Sequence, residues 1–131
     1  MTASVHDPIR EFIRAFNERD LDAFVAVLDP DVELHSMRGL RRGREAARVW
    51  ATRAPGGVQQ TIELQELHED GTEGGGGRAL ALIVRRWRWE EDGSEAGADE
   101  MAWGFELRDH RVLSWRPFDD PAEALNAYHR S

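Results

Sequence analysis

Ile9-Arg10-Glu11-Phe12-Ile13-Arg14-Ala15-Phe16, then Asp20-Leu21-Asp22-Ala23-Phe24-Val25-Ala26-Val27-Leu28, then Asp29-Pro30-Asp31-Val32-Glu33-Leu34-His35-Ser36 follow one another near the start of the chain. In the first stretch Ile9, Phe12, Ile13 and Phe16 recur at i, i+3, i+4 and i+7, the single apolar stripe of an amphipathic helix. Asp7-Pro8 ahead of it supplies a capping side chain and a first-turn proline, and the stripe runs out near Glu18. Asp20 caps a second helix in which Leu21, Phe24, Val25 and Leu28 repeat the spacing, and Asp29-Pro30 stops it. From Val32 to Met37 the period changes from helical to two, so the chain enters a strand. Two short helices joined by a short turn pack as a hairpin, and their shared apolar face needs a further layer, which the strands provide.

The reading extends outward from there. Gly39 to Gly43 is an Arg-rich turn into a helix from Arg44 to about Arg53, ended by Pro55-Gly56-Gly57. Thr61 to Glu69, Arg78 to Glu90, Met101 to Arg108 and Val112 to Phe118 read as strands, and Asp120-Pro121 starts a last helical turn carrying Leu125 and Tyr128. Asp109-His110 is a tight hairpin turn. Asp70 to Gly77 and Glu91 to Glu100 read as long loops, and Gly74 to Gly77, with no side chains to pack, is expected to be disordered. The class is α+β, helices first, in a single domain over residues 1–131, without internal repeats.

Composition narrows the chemistry. Acidic residues outnumber basic ones by 25 to 17, a net charge of −8 that repels nucleic acid and anionic membranes. No apolar run approaches the roughly 20 residues of a membrane helix, and nothing resembles a signal peptide, so a cytoplasmic protein is expected. The absence of cysteine excludes disulfides and thiol nucleophiles, and all 17 basic residues are Arg, which excludes lysine Schiff bases. No two histidines have metal-ligand spacing, so neither a metal nor another cofactor is expected.

Taken in order, Ile9 to Phe16, Asn17, Asp20-Leu21-Asp22-Ala23, Leu28, Asp31-Val32, His35-Ser36, Gly43-Arg44-Glu45, Leu107-Arg108-Asp109 and Trp115-Arg116 resemble the SnoaL-like branch of the nuclear-transport-factor-2-like superfamily. The resemblance spans nearly the whole chain. It implies an α+β barrel: a cone-shaped, curved, mostly antiparallel sheet wrapped around three N-terminal helices, with a deep pocket. That fold hosts isomerases, cyclases, epoxide hydrolases and plain binding modules, so it does not fix function. Members similar to ketosteroid isomerase use a Tyr on the first helix, an Asp on a late strand and an Asp on the first strand; the matching positions are Phe12, Trp103 and Ser36. The paired His and Asp of the polyketide cyclases fall on Trp103 and Pro117, and the Arg-x-Asp step of the epoxide hydrolases on Arg85 and Trp87. None of these positions carries the family's acid or base.

Aromatic residues dominate instead. Trp103, Phe105 and Leu107 alternate on one face of their strand, and Leu113, Trp115 and Pro117 on one face of the last, with Val112, Ser114 and Arg116 opposite. If the hairpin before Met101 is centred near Glu95, Trp87 sits opposite Trp103 and faces the same side. A slip of one residue pairs Trp103 with Arg88 and turns the tryptophans outward. The expected pocket wall is Phe12, Phe16, Trp50, Arg85, Trp87, Trp103, Phe105, Trp115 and Phe118. Because a buried indole N–H wants an acceptor, such a wall suits a small hydrophobic or amphipathic molecule of polyketide, terpenoid or steroid size.

His35, oriented by Glu33, and Ser36 are the candidate catalytic groups of an isomerase, cyclase or hydrolase alternative. Alternation opposes that role, since Val32 and Leu34 claim the core face and turn Glu33 and His35 outward. Glu66 and His68 form a similar pair. The basic run Arg38, Arg41, Arg42, Arg44 and Arg48 is either a solvated turn or a rim that draws an anionic ligand group to the pocket mouth. A homodimer through the outer sheet face is expected, and a module that only dimerises, through outward Trp87 and Trp89, is a further alternative.

Overall fold

A computed structural model describes residues 8–36, 39–52, 58–71 and 76–130. The expectations for Asp7, Met37, Arg38, Arg53, Pro55-Gly56-Gly57 and Gly74-Gly75 lie outside these residues. Helices α1 (Pro8–Glu18) and α2 (Leu21–Ala26) precede strands β1 (Leu28–Ser36) and β2 (Gly39–Arg42), and helix α3 (Arg44–Thr52) follows. Then come β3 (Val58–Gly71), β4 (Gly77–Trp89), β5 (Glu95–Arg108), β6 (Arg111–Phe118) and helix α4 (Pro121–Arg130). The six strands form one open sheet in the order β2-β1-β6-β5-β4-β3, antiparallel except for the β1–β6 pair. This is the α+β cone expected from the sequence, with a sheet that is not closed into a barrel.

Helices α1, α2 and α3 cover one face of the sheet, here called the inner face. The stripe of α1 is buried at Ile9, Phe12, Ile13 and Phe16, as its spacing required. Asp20 caps α2 by accepting the Ala23 N–H at 3.2 Å. Asn17, at the end of α1, both accepts from the Ile62 N–H and donates to the Ile62 carbonyl, each at 2.8 Å, which pins the helix to β3. The other face is partly covered by α4, where Leu80, Ala102 and Ala124 form a second small core with Leu82, Phe118, Leu125 and Tyr128.

Several boundaries differ from the sequence reading. Leu28 begins β1 rather than ending α2, because the Val27 carbonyl accepts the Val112 N–H at 2.9 Å and Leu28 pairs with Val112. Gly39 to Arg42, read as a turn, is a strand paired with Glu33 to Ser36. Glu95 to Glu100, read as loop, belongs to β5, and the β4–β5 connection is a short turn from Glu90 to Ser94. The β4–β5 register therefore centres earlier than Glu95: Trp103 lies opposite Ala81, and Trp87 opposite Gly97. Trp87 and Trp103 still share a face, since Trp87 and Ala81 are separated by an even number of residues.

Asp109 and His110 turn between β5 and β6 with φ of 52° and 64°, the left-handed pair that a two-residue hairpin demands. On the outer face, Gly104 leaves room for Phe118: a Cβ there would lie 2.9 Å from the Phe118 ring. Gly104→Ala should therefore push Phe118 off α4 and cost about 1 to 2 kcal/mol, within the usual overpacking range. Urea denaturation of the variant checks this, and an unchanged midpoint would count against it.

Candidate functional site

The inner face gathers most of the expected wall. Trp103 and Phe105 on β5, Trp115 on β6, Phe12 and Phe16 on α1 and Trp50 on α3 belong to one buried cluster. Trp103 meets Phe12, Phe16 and Trp115 edge to face at centroid distances of 6.0, 6.0 and 5.2 Å, and Trp115 lies 4.8 Å from Trp50. These are the offset and T-shaped arrangements that aromatic quadrupoles favour. They form because β5 and β6 present every second residue inward while a single stripe of α1 and one residue of α3 meet them from above.

One atom in this cluster stands out chemically. Trp115 is 4% exposed, and its Nε1–H is buried without a hydrogen-bond acceptor. An unpaired buried donor costs about 1 to 3 kcal/mol relative to the same group in water.

The remaining wall residues lie elsewhere. Arg85 and Trp87 share the inner face but sit farther along β4, beyond Ile83. There the guanidinium stacks on the Trp87 ring at 4.5 Å and pairs with Asp99 at 3.1 Å, while the indole rests on Gly97. Trp89, at the strand end, is 48% exposed. Phe118 does not join the cluster: it lies on the outer face against α4, because Pro117 rather than Phe118 shares the side of Trp115. A bulge on β6 around Leu113 makes Val112 and Trp115 both face inward, which strict alternation had not allowed.

Of the three candidate catalytic groups, Glu33 and His35 are on the wrong side for this cluster, and Ser36, two residues beyond Leu34, is held in the β1–β2 hairpin. Val32 and Leu34 are fully buried, so Glu33 and His35 point to the outer face, where they lie 3.6 Å apart and beside Arg42 and Arg116. The Ser36 hydroxyl donates to the Gly39 carbonyl at 2.9 Å in the β1–β2 hairpin. Glu66 and His68 hydrogen bond at 2.8 Å, with His68 near the rings of Tyr128 and His129 on the outer face. Among the described residues no group of three or more His, Asp or Glu is arranged to hold a metal ion, and no helix is long and apolar enough to cross a membrane.

The one buried carboxylate among the described residues is structural. Asp29, 4% exposed, accepts from Arg108 through both oxygens at 3.0 and 2.6 Å and from the Asp31 N–H at 2.8 Å. Arg108 holds its pKa below the ordinary carboxylate value against the opposing effect of burial. This clamp secures the stretch between Leu28 and Glu33 where β1 leaves register with β6. The carbonyls freed there are taken by Arg44, which donates to Leu28 at 2.9 and 2.7 Å, and by the Gly43 N–H, 2.8 Å from the Val32 oxygen.

The fold is an open α+β cone with an aromatic interior, and the SnoaL-like domain profile matches residues 9–115. The chain belongs to the SnoaL-like domain family. It is similar in structure to an M. tuberculosis LEH-like epoxide hydrolase (TM-score 0.70, 18% identity, 92% of this chain and 81% of that one). It is likewise similar to a candidate polyketide cyclase from Sinorhizobium meliloti (0.68, 20%, 89% and 98%). A third similar structure is a computationally designed 17-OHP binder (0.69, 12%, 86% and 90%). At such identities the likeness concerns the fold alone. No curated protein matches the chain in sequence.

Proposed function

We propose that this domain binds a small apolar or amphipathic molecule of polyketide, terpenoid or steroid size between its helices and the inner sheet face. Phe12, Phe16, Trp50, Trp103, Phe105 and Trp115 form the wall, and Arg85 and Trp87 lie farther out on the same face. The observation that carries this reading is the unpaired Trp115 N–H inside an aromatic cluster. A sealed core gains nothing from such a donor, whereas a ligand carbonyl or hydroxyl would satisfy it. The designed 17-OHP binder supports the reading to the extent that the same fold accommodates a bound molecule. Binding is preferred over an isomerase, cyclase or hydrolase built on Glu33 and His35, because both side chains lie across the sheet from the wall. The proposed assembly is a cytoplasmic homodimer through the part of the outer sheet face that α4 leaves open, where Leu40 is 45% exposed.

Two probes of similar size test the proposal: acetophenone, which offers a carbonyl acceptor, and ethylbenzene, which does not. Ligand-observed NMR should show saturable binding of both to the wild type. Trp115→Phe should weaken acetophenone by about five- to tenfold, the scale of one net hydrogen bond, and leave ethylbenzene within about twofold. Absence of saturable binding by either probe would refute a ligand-binding interior.

A further inference from the structure

We infer that Arg41 and Trp115 together form the polar end of this site, and that its ligand is an apolar molecule carrying a carboxylate. The inference rests on the binding reading above and adds the charge and chemical class of the ligand.

The pairing of three strands places the two residues. Leu34 on β1 lies opposite Arg41 on β2 and opposite Trp115 on β6, so Arg41, Leu34 and Trp115 form one row across the sheet. Directly opposed residues share a face, and Leu34 is fully buried in the inner cluster, so Arg41 and Trp115 flank it on that face. Their backbones are two strand spacings apart, about 10 Å. Each carries a buried nitrogen without an acceptor: Nε of Arg41 and Nε1 of Trp115. Arg41 as a whole is only half-buried, so it spans from the cluster to solvent.

Its neighbours in the basic run are differently engaged. Arg42 reaches Glu33 at 3.4 Å on the outer face, Arg44 donates to the Leu28 carbonyl, and Arg48 lies 3.6 Å from Asp22. Arg85, the other inward arginine with an unpaired Nε, already has Asp99. Among the described residues Arg41 has no carboxylate partner, and it differs from the exposed arginines in turning a buried, unpaired Nε toward the inner face. A half-buried guanidinium beside an aromatic wall selects a planar monoanion that its fork can hold, with the apolar body stacked on the rings. A phosphate dianion would leave one of its charges uncompensated in the same place.

Calorimetric titration at pH 7 with 4-phenylbutanoate and 4-phenylbutanamide, which share a skeleton and differ in charge, tests the inference. The wild type should prefer the carboxylate by about tenfold or more, against the repulsion of the protein's overall charge. Arg41→Gln should abolish that preference by weakening the carboxylate about tenfold and the amide far less, and Arg41→Lys, which keeps the charge but not the fork, should retain only part of it. Arg42→Gln, on the outer face, should preserve the preference. Equal binding of both probes to the wild type, or a preference that survives Arg41→Gln, would overturn the inference and leave the binding reading standing. So would acetophenone binding with no binding of either phenylbutanoyl probe. Failure of all four probes would remove both. If Arg41→Gln does not fold, the Arg41→Lys result decides.

Discussion

Phe12→Ala should cost about 3 to 5 kcal/mol of stability, the largest loss expected from any single truncation of the inner cluster. Phe12 is fully buried, and its ring lies 4.9 Å from Phe24, 5.2 Å from Phe105 and 6.0 Å from Trp103. One side chain thus joins α1, α2 and β5, and neighbours held by three separate elements cannot collapse together into the space it leaves. Domains of this size are stable by only about 5 to 15 kcal/mol, so the variant approaches the limit of folding. Urea denaturation should show a much lower midpoint with an unchanged slope. A loss under about 1 kcal/mol would mean that the rings do not pack as one body.

Asp29→Asn should be the next most damaging, at about 2 to 3 kcal/mol near pH 7, because it breaks a two-oxygen, charge-assisted bond to Arg108 at a buried position. The half-exposed Arg108 can rehydrate, which keeps the loss below that of a fully buried pair. Its pH dependence follows from the lowered pKa. Unfolded, the group titrates near its ordinary value of 3.8; folded, it stays ionised to lower pH. Between those values only the unfolded chain takes up the proton, so the stabilisation is complete above the ordinary value and is lost as pH falls through the folded one. Melting curves should therefore separate wild type from Asp29→Asn at pH 7 and bring them together as pH drops below about 4. A gap that stays constant over that range would show that the carboxylate's charge is not what holds the bulge.

Helix stripes and strand alternation were legible because each is a local pattern with one period. Phe12 and Phe16, Val32 and Leu34, and the outward Glu33 and His35 all lie where spacing put them. The errors fall where a distant partner decides. Leu28 continues a helical stripe, yet the Val112 N–H draws the preceding carbonyl into the sheet. Glu95 to Glu100 has no apolar side to read, because both faces of that part of β5 are largely exposed and its pairing with the Arg-rich end of β4 makes it a strand. Phe118 was assigned to the wall by residue type, although alternation from Trp115 turns it outward, and the α4 that covers it there leaves no local trace in the sequence. Of the site, the tryptophans could be named from residue type; that Arg41 and Trp115 flank the same leucine could not, because it depends on two strand registers at once.

The parallel union of β1 with β6 also bears on how the chain assembles. Strands β3 to β6 form an uninterrupted antiparallel series, each next to its neighbour in sequence, so their pairings can zip up from local turns. The β1–β2 hairpin has no place in the sheet until β6 exists, and β6 is the last of the six strands to be synthesised. Through most of synthesis the apolar faces of α1, α2 and β1 must wait without their partners. The β1–β6 seam of the finished sheet is therefore its last to close, and the apolar faces of α1, α2 and β1 are exposed the longest to chaperones and to other copies of the chain.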